Sequence, residues 1–274
     1  MKTLAQALTG GGSAGLPLPE LHPLLTHTGV TPRRGQVTLL AAPPNGGKSL
    51  LALHYAVQHN IPTLYFSADT DEFTTVMRAG AMLTGRKVRD IESLIENGGG
   101  VMIEDEFVER LNNVRFLFNP SPSLDDIDME LRAFEEMWGE PPHLTIVDNL
   151  MNVVAETDNE FAGMRQIMMA LHHMARRDET GVMVLHHVSE ADGTPNKPAA
   201  RRSIMGKVSQ LPEMILTLAA DPHSGDLHVA CVKNRAGAHD ASGSKFVSLP
   251  MDFESMRVFP SSVQAAAART GGWS

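Results

Sequence analysis

An α/β fold, a mostly parallel twisted sheet with helices on both faces that ends in antiparallel hairpin strands, is what this 274-residue sequence predicts. Three observations lead to it. Short, continuously apolar runs rich in β-formers alternate with helix-period segments up to residue 187, the pattern of parallel strands buried on both faces. After Ile204 the apolar runs become closely spaced, as strands joined by short turns are. Hydrophobic residues make up 42% and charged residues 20%, which excludes a collagen-like, disulfide-stapled or wholly disordered chain.

Each element follows from local pattern. The first 36 residues show little periodicity and carry Gly10-Gly11-Gly12-Ser13-Ala14-Gly15 followed by several prolines, so residues 1–30 are expected to form a flexible arm. Residues 31–259 read as one domain without repeats. Strands are expected at Val37–Ala42, Thr63–Ala68, Val114–Phe118, Leu144–Asp148 and Val182–His187, and helices at Lys48–His59, Asp71–Thr84, Leu124–Trp138 and Glu160–Arg177. Met214–Leu218, Leu227–Lys233 and Lys245–Leu249 supply the closing hairpins, and residues 260–274 read as a disordered tail.

Lys and Arg total 23 against 32 Asp and Glu, a formal net charge of −9. So acidic a surface does not attract nucleic acid, and contact with DNA needs a local basic patch. The lone Cys231 can form no internal disulfide, which suits a reducing cytoplasm, and reads as a small buried hydrophobe. No stretch approaches the roughly 18 apolar residues of a spanning helix, and no leader pattern opens the chain. A cytoplasmic protein without a membrane partner is expected. The acids at Glu104-Asp105-Glu106 and at Asp125, Asp126 and Asp128 read as exposed helix faces rather than a nuclease cluster.

Ala42-Pro43-Pro44-Asn45-Gly46-Gly47-Lys48-Ser49 lies where an apolar strand ends and a helix begins, and departs from the phosphate-loop pattern only in having Ala42 at the first glycine position. Phosphate binding needs inward-pointing backbone N–H groups, close approach at glycine and the positive end of a helix. Pro44, Asn45, Gly46, Gly47, Lys48, Ser49 and Leu50 are therefore expected to hold ATP, Lys48 reaching the β- and γ-phosphates and Ser49 taking Mg²⁺. Asp148, closing an apolar strand, is the expected second Mg²⁺ residue. Asp69, also at a strand end and expected on the strand beside that of the phosphate loop, is the candidate base for ordering water, with Asp71 and Glu72 as competitors. His186 and His187 alternate across a strand; a zinc set with His172 and His173 is the weaker reading, because adjacent strand residues face opposite ways.

With these motifs in place, the chain resembles the RecA-like ATPases, and among them the DnaB-type replicative helicases and small plasmid-encoded hexameric helicases. Arg34 to Ala42 resembles that family's strand before the phosphate loop. Phe66-Ser67-Ala68-Asp69 resembles its segment with the catalytic glutamate, with aspartate here. Val184-Leu185-His186-His187 is similar to its sensor strand, which places His187 at the γ-phosphate sensor. Val232-Lys233-Asn234-Arg235-Ala236-Gly237 resembles the lysine-x-arginine-x-glycine segment, which implies that Lys233 and Arg235 reach a neighbouring subunit's ATP, Arg235 as a finger. The resemblance spans residues 31 to 249 and does not extend to the family's N-terminal collar. It implies a hexameric homo-oligomer, single-stranded DNA as partner, replication or recombination proteins as further partners, and the bacterial host cytoplasm of a phage- or plasmid-type protein.

RecA-like rings hold DNA with two loops. The first here, residues 152–161, carries Glu156, Asp158 and Glu160 and repels phosphate. The second, residues 189–207, offers Lys197, Arg201, Arg202 and Lys207, the basic patch that the acidic surface requires.

Overall fold

The computed structural model describes residues 15–157, 159–189 and 196–269. Nine strands form one sheet in the order β3-β2-β4-β5-β1-β6-β7-β8-β9. They are β1 Val37–Ala42, β2 Thr63–Ser67, β3 Val114–Leu117, β4 Leu144–Asp148, β5 Gly181–His187, β6 Met214–Asp221, β7 Asp226–Asn234, β8 Val247–Asp252 and β9 Arg257–Val258. β1 to β6 pair in parallel, and β6 to β9 pair antiparallel. The helices are α1 Pro23–Thr26, α2 Lys48–His59, α3 Glu72–Thr84, α4 Val88–Glu96, α5 Glu104–Leu111, α6 Leu124–Trp138, α7 Glu160–Arg177 and α8 Ser262–Arg269.

Alternation along each strand divides the core into two layers. Leu40, Met183, Leu185 and Leu216 pack under Leu51, Tyr55 and Ala56 of α2. Leu39, Val147, Val184 and Ile215 pack under Ile127 and Phe134 of α6 and Ile167 and Leu171 of α7. α6 begins with a capping box, the Ser123 hydroxyl accepting from Asp126 N–H while the Asp126 carboxylate accepts from Ser123 N–H. Asp128 pairs with Arg177 at 2.6 Å and Arg132 at 2.8 Å, so these acids serve α6.

Four expectations need correction. β2 is not beside β1, because β4 and β5 lie between them. The expected arm is packed from residue 15 onward: Leu18, Leu21, Leu25 and Val30 are buried, and His22 Nε2 lies 2.8 Å from the Phe259 carbonyl. Apolar spacing was too irregular there to reveal this contact, and residues 1–14 lie outside the described residues. The tail forms α8, whose Ala265 is buried, with residues 270–274 outside the described residues. The last hairpin strand begins at Val247 rather than Lys245.

Candidate active site

Parallel pairing brings the expected residues to one edge of the sheet. Ala42 stands opposite His187, and Ser67 opposite Asp148. The phosphate loop, Asp69, Asp148 and His187 thus leave the same carboxyl edge, where ligands of open α/β sheets bind.

The loop works without a glycine at position 42 because Gly46 supplies the space. A Cβ on Gly46 would stand 2.7 Å from the Ala42 Cβ and 2.9 Å from the Pro43 carbonyl oxygen. Pro44 and Asn45 are exposed at the tip of the loop, Asn45 with φ 58°. Gly47 has φ 91°, and a Cβ there would stand 2.5 Å from Leu227 Cδ1. Gly47→Ala is therefore expected to cost about 1–3 kcal/mol of stability and to weaken ATP binding. Chemical denaturation and nucleotide titration check both, and unchanged values would show that the loop tolerates a side chain.

Lys48 is buried, and its Nζ donates to the Ala42 and Pro43 carbonyls, each at 3.2 Å. Burial lowers its pKa, while Asp148 and Asp69 work against that shift. Asp148 is buried too; its Oδ2 accepts from the Tyr65 hydroxyl at 3.1 Å, and its Oδ1 has no hydrogen-bond partner among the described residues. Burial pushes the carboxyl pKa up, opposed by hydrogen bonding from Ser49 and Tyr65. A buried carboxylate oxygen without a partner, beside a serine hydroxyl, is a hard oxygen donor set of the kind Mg²⁺ takes together with phosphate oxygens, so these residues fit the ion. Leu50 is buried on the first turn of α2.

Asp69 is exposed, and its N–H donates to the Asp148 carbonyl at 3.3 Å. Asp71 is engaged elsewhere: it caps α3, accepting from Thr74 N–H at 2.9 Å and from the Thr74 hydroxyl at 2.7 Å. Alternation puts His187 on the α2 face with Met183 and Leu185. His186 turns to the other face, fully buried, with Nε2 3.1 Å from the Met205 carbonyl; burial lowers its pKa to about 4, which keeps it neutral. His172 lies apart, 2.9 Å from Glu213.

Lys233 and Arg235 are at the opposite edge. Met214 and Asn234 pair where β6 begins, and Glu213 N–H donates to the carbonyl of Val37, the first residue of β1. β1 spans six residues, so this edge is about 17 Å from the phosphate loop at about 3.3 Å per residue. A bulge at Ile215/Leu216 pairs Lys233 with Ile215 and turns it to the α7 face, whereas strict alternation would have kept it with the α2 layer. There Lys233 Nζ donates to Ser209 O at 3.0 Å and Gln210 O at 2.7 Å, while Arg235 Nη2 donates to Gln210 O at 3.1 Å and Leu211 O at 3.3 Å.

Sequence reasoning missed Glu213. Its Oε2 accepts from Val37 N–H at 3.0 Å, and its Oε1 lies 2.9 Å from His172 Nε2, 3.5 Å from Arg235 and 3.6 Å from Arg176. No spacing signal marks it, because its partners come from four separate segments. It lines a cleft of about 600 Å³ with Arg33, Arg34, Arg176, Asn234 and Arg235.

Of the second loop, residues 190–195 lie outside the described residues. Lys197, Arg202 and Lys207 are exposed, Lys207 with φ 54°. Arg201 is less exposed, its Nη2 donating to the Ser209 carbonyl at 3.2 Å. In the first loop Asp158 lies outside the described residues, and Glu156 and Glu160 are exposed. Cys231 is half-buried with its thiol pKa raised by burial, and its Sγ donates to the Lys233 carbonyl at 3.4 Å. No helix among the described residues is long and apolar enough to cross a membrane.

The AAA domain family matches residues 24–193, which hold the phosphate loop, Asp69, Asp148 and His187. The Gene 65 protein of Mycobacterium phage L5 is 38% identical over 266 residues, 94% of this chain and 98% of that protein. The Gene 65 protein of Mycobacterium phage D29 is 36% identical over 231 residues, 81% and 98% respectively. A solved helicase ATPase domain superposes with a TM-score of 0.78 at 16% identity, over 93% of this chain and 95% of that one. A DnaB-like replicative helicase, solved in a study of its interactions with primase, gives a TM-score of 0.76 at 18% identity, over 94% and 67%. At those identities the likeness to solved structures is one of fold. The chain belongs to the AAA domain family and carries the RecA-like fold of DnaB-type helicase ATPase domains.

Proposed function

We propose that the protein is an ATP-hydrolysing motor that assembles head-to-tail into a hexameric ring, binds single-stranded DNA and unwinds duplex DNA. The observation that carries this reading is the separation of the two charge sets: the phosphate loop at one edge of the sheet, Lys233 and Arg235 at the other. One copy cannot bring its own Arg235 to its own nucleotide, but a neighbour stacked head-to-tail can. In this reading Lys48 meets the β- and γ-phosphates, Asp69 orders the attacking water, His187 senses the γ-phosphate, and Arg235 with Lys233 meets charge spreading over the transferred group. Ser49 and Asp148 would hold Mg²⁺, which when bound neutralises phosphate charge. Lys197, Arg202 and Lys207 suit a DNA backbone because point charges tolerate any sequence.

Strand displacement by the full chain, with its mass measured with and without ATP, tests the proposal. ATP-dependent unwinding by an assembly is expected, whereas a monomer under all conditions, or hydrolysis indifferent to DNA, would sink the motor. The acidic first loop favours a second reading, a RecA-like ATPase of recombination, repair or regulation without unwinding; filaments on DNA rather than rings would support it.

Turnover should also depend on pH through Lys233, whose pKa burial, with Arg235 and Arg201 alongside, lowers to about 8. Between about 8 and the ordinary 10.5 the folded chain binds fewer protons than the unfolded one, so this group's contribution to stability rises with pH across that window. Turnover goes the other way, falling as the ammonium loses its proton. Lys233→Arg, which does not titrate there, is expected to hold its rate on the alkaline side; matching pH profiles would remove Lys233 from the reaction.

A further inference from the structure

We propose that Arg201, on the second loop, is a third cation of the finger and contacts the γ-phosphate oxygens of the neighbouring copy's nucleotide rather than DNA. The inference rests on the head-to-tail reading above and adds a residue to it. Arg201 Nη2 and Lys233 Nζ donate to the same Ser209 oxygen, at 3.2 and 3.0 Å, and Arg235 joins Lys233 on the next carbonyl, that of Gln210. Three cations therefore converge on the end of one 3-10 segment, Met205–Gln210. Among the described residues neither Arg201 nor Lys233 has a carboxylate within salt-bridge distance, and Glu213, which reaches Arg235, is already shared with His172 and Arg176. Neutral carbonyls position such a cluster without cancelling its charge, so it remains a site for a compact polyanion. Space is available: an open groove of about 610 Å³ runs along Arg201, Arg202, Ser209 and Gln210. A guanidinium has five donors, and the Ser209 bond uses one, leaving others for phosphate oxygens.

Two anions compete for this description, the neighbour's triphosphate and the phosphates of DNA. The shared Ser209 oxygen favours the first, because it ties Arg201 to Lys233 rather than to Lys197, Arg202 or Lys207.

Assemblies doped with increasing fractions of a variant test the assignment, with DNA-free hydrolysis and single-stranded DNA affinity measured on each. Arg201→Ala is expected to cut DNA-free turnover about tenfold or more, to leave ATP affinity and DNA affinity within about twofold, and to depress doped assemblies more steeply than its fraction. Arg201→Lys, which keeps the charge, should recover part of the rate, and serves if the alanine variant does not fold. Loss of DNA affinity with turnover intact would overturn the proposal by returning Arg201 to DNA. Activity strictly proportional to the wild-type fraction would overturn it as well. Arg235→Ala doped in parallel separates the layers: if Arg235→Ala poisons its neighbours and Arg201→Ala does not, this inference alone fails, and if neither does, the head-to-tail reading has failed with it.

Discussion

Lys48→Ala is expected to abolish ATP hydrolysis, with a drop of about 10³-fold or more in phosphate release and weakened ATP binding. No other ammonium stands in the loop, and Lys48 is tied to two of the loop's own carbonyls where the strand ends. The fold should survive. Burial already disfavours the charged form of Lys48, so removing it takes away a poorly solvated ion rather than a core contact. Thermal unfolding is expected to move by no more than about 2–4 °C, which separates a chemical loss from a structural one. Full turnover in a folded Lys48→Ala protein would show that the triphosphate is held elsewhere.

Arg235→Ala should give the opposite split. Its own copy's phosphate loop is about 17 Å away, counted along β1 at about 3.3 Å per residue, so ATP binding should stay nearly intact. Turnover should fall roughly 10³–10⁵-fold, as it does when a guanidinium finger is withdrawn from a phosphoryl transfer. Equal losses of binding and turnover would instead assign Arg235 to ground-state binding. Removing the guanidinium also leaves Glu213 with one cation fewer beside it. Glu213 keeps Val37 N–H and His172, so this loss is expected to be modest in stability.

The sheet was legible because its strands are continuous apolar runs bounded by turns or acids: Leu144–Asp148 reads the same in sequence and structure. The phosphate loop was legible for the same reason, a local pattern with a local cause. Strand order was not legible, since nothing in Leu64 to Ser67 states that two other strands separate it from β1. Helices α4 and α5 escaped notice because they are short and mostly exposed, with Ile91 and Leu111 as their buried contacts. The direction of Lys233 depends on a bulge, which shifts register without any residue type that announces it. Arg201 could be counted among the loop's cations, but its attachment to Ser209 is a tertiary fact.

Placing the nucleotide loop and the finger on opposite rims has an arithmetic consequence for any assembly that uses both. A twofold pair is useless to such a chain, because matching rims would meet and no pocket would be completed. An open string always leaves one loop at its end without a partner, so n copies make n − 1 working pockets. Closing the circle supplies the missing one, and diluting the protein below its association constant should silence every copy at once.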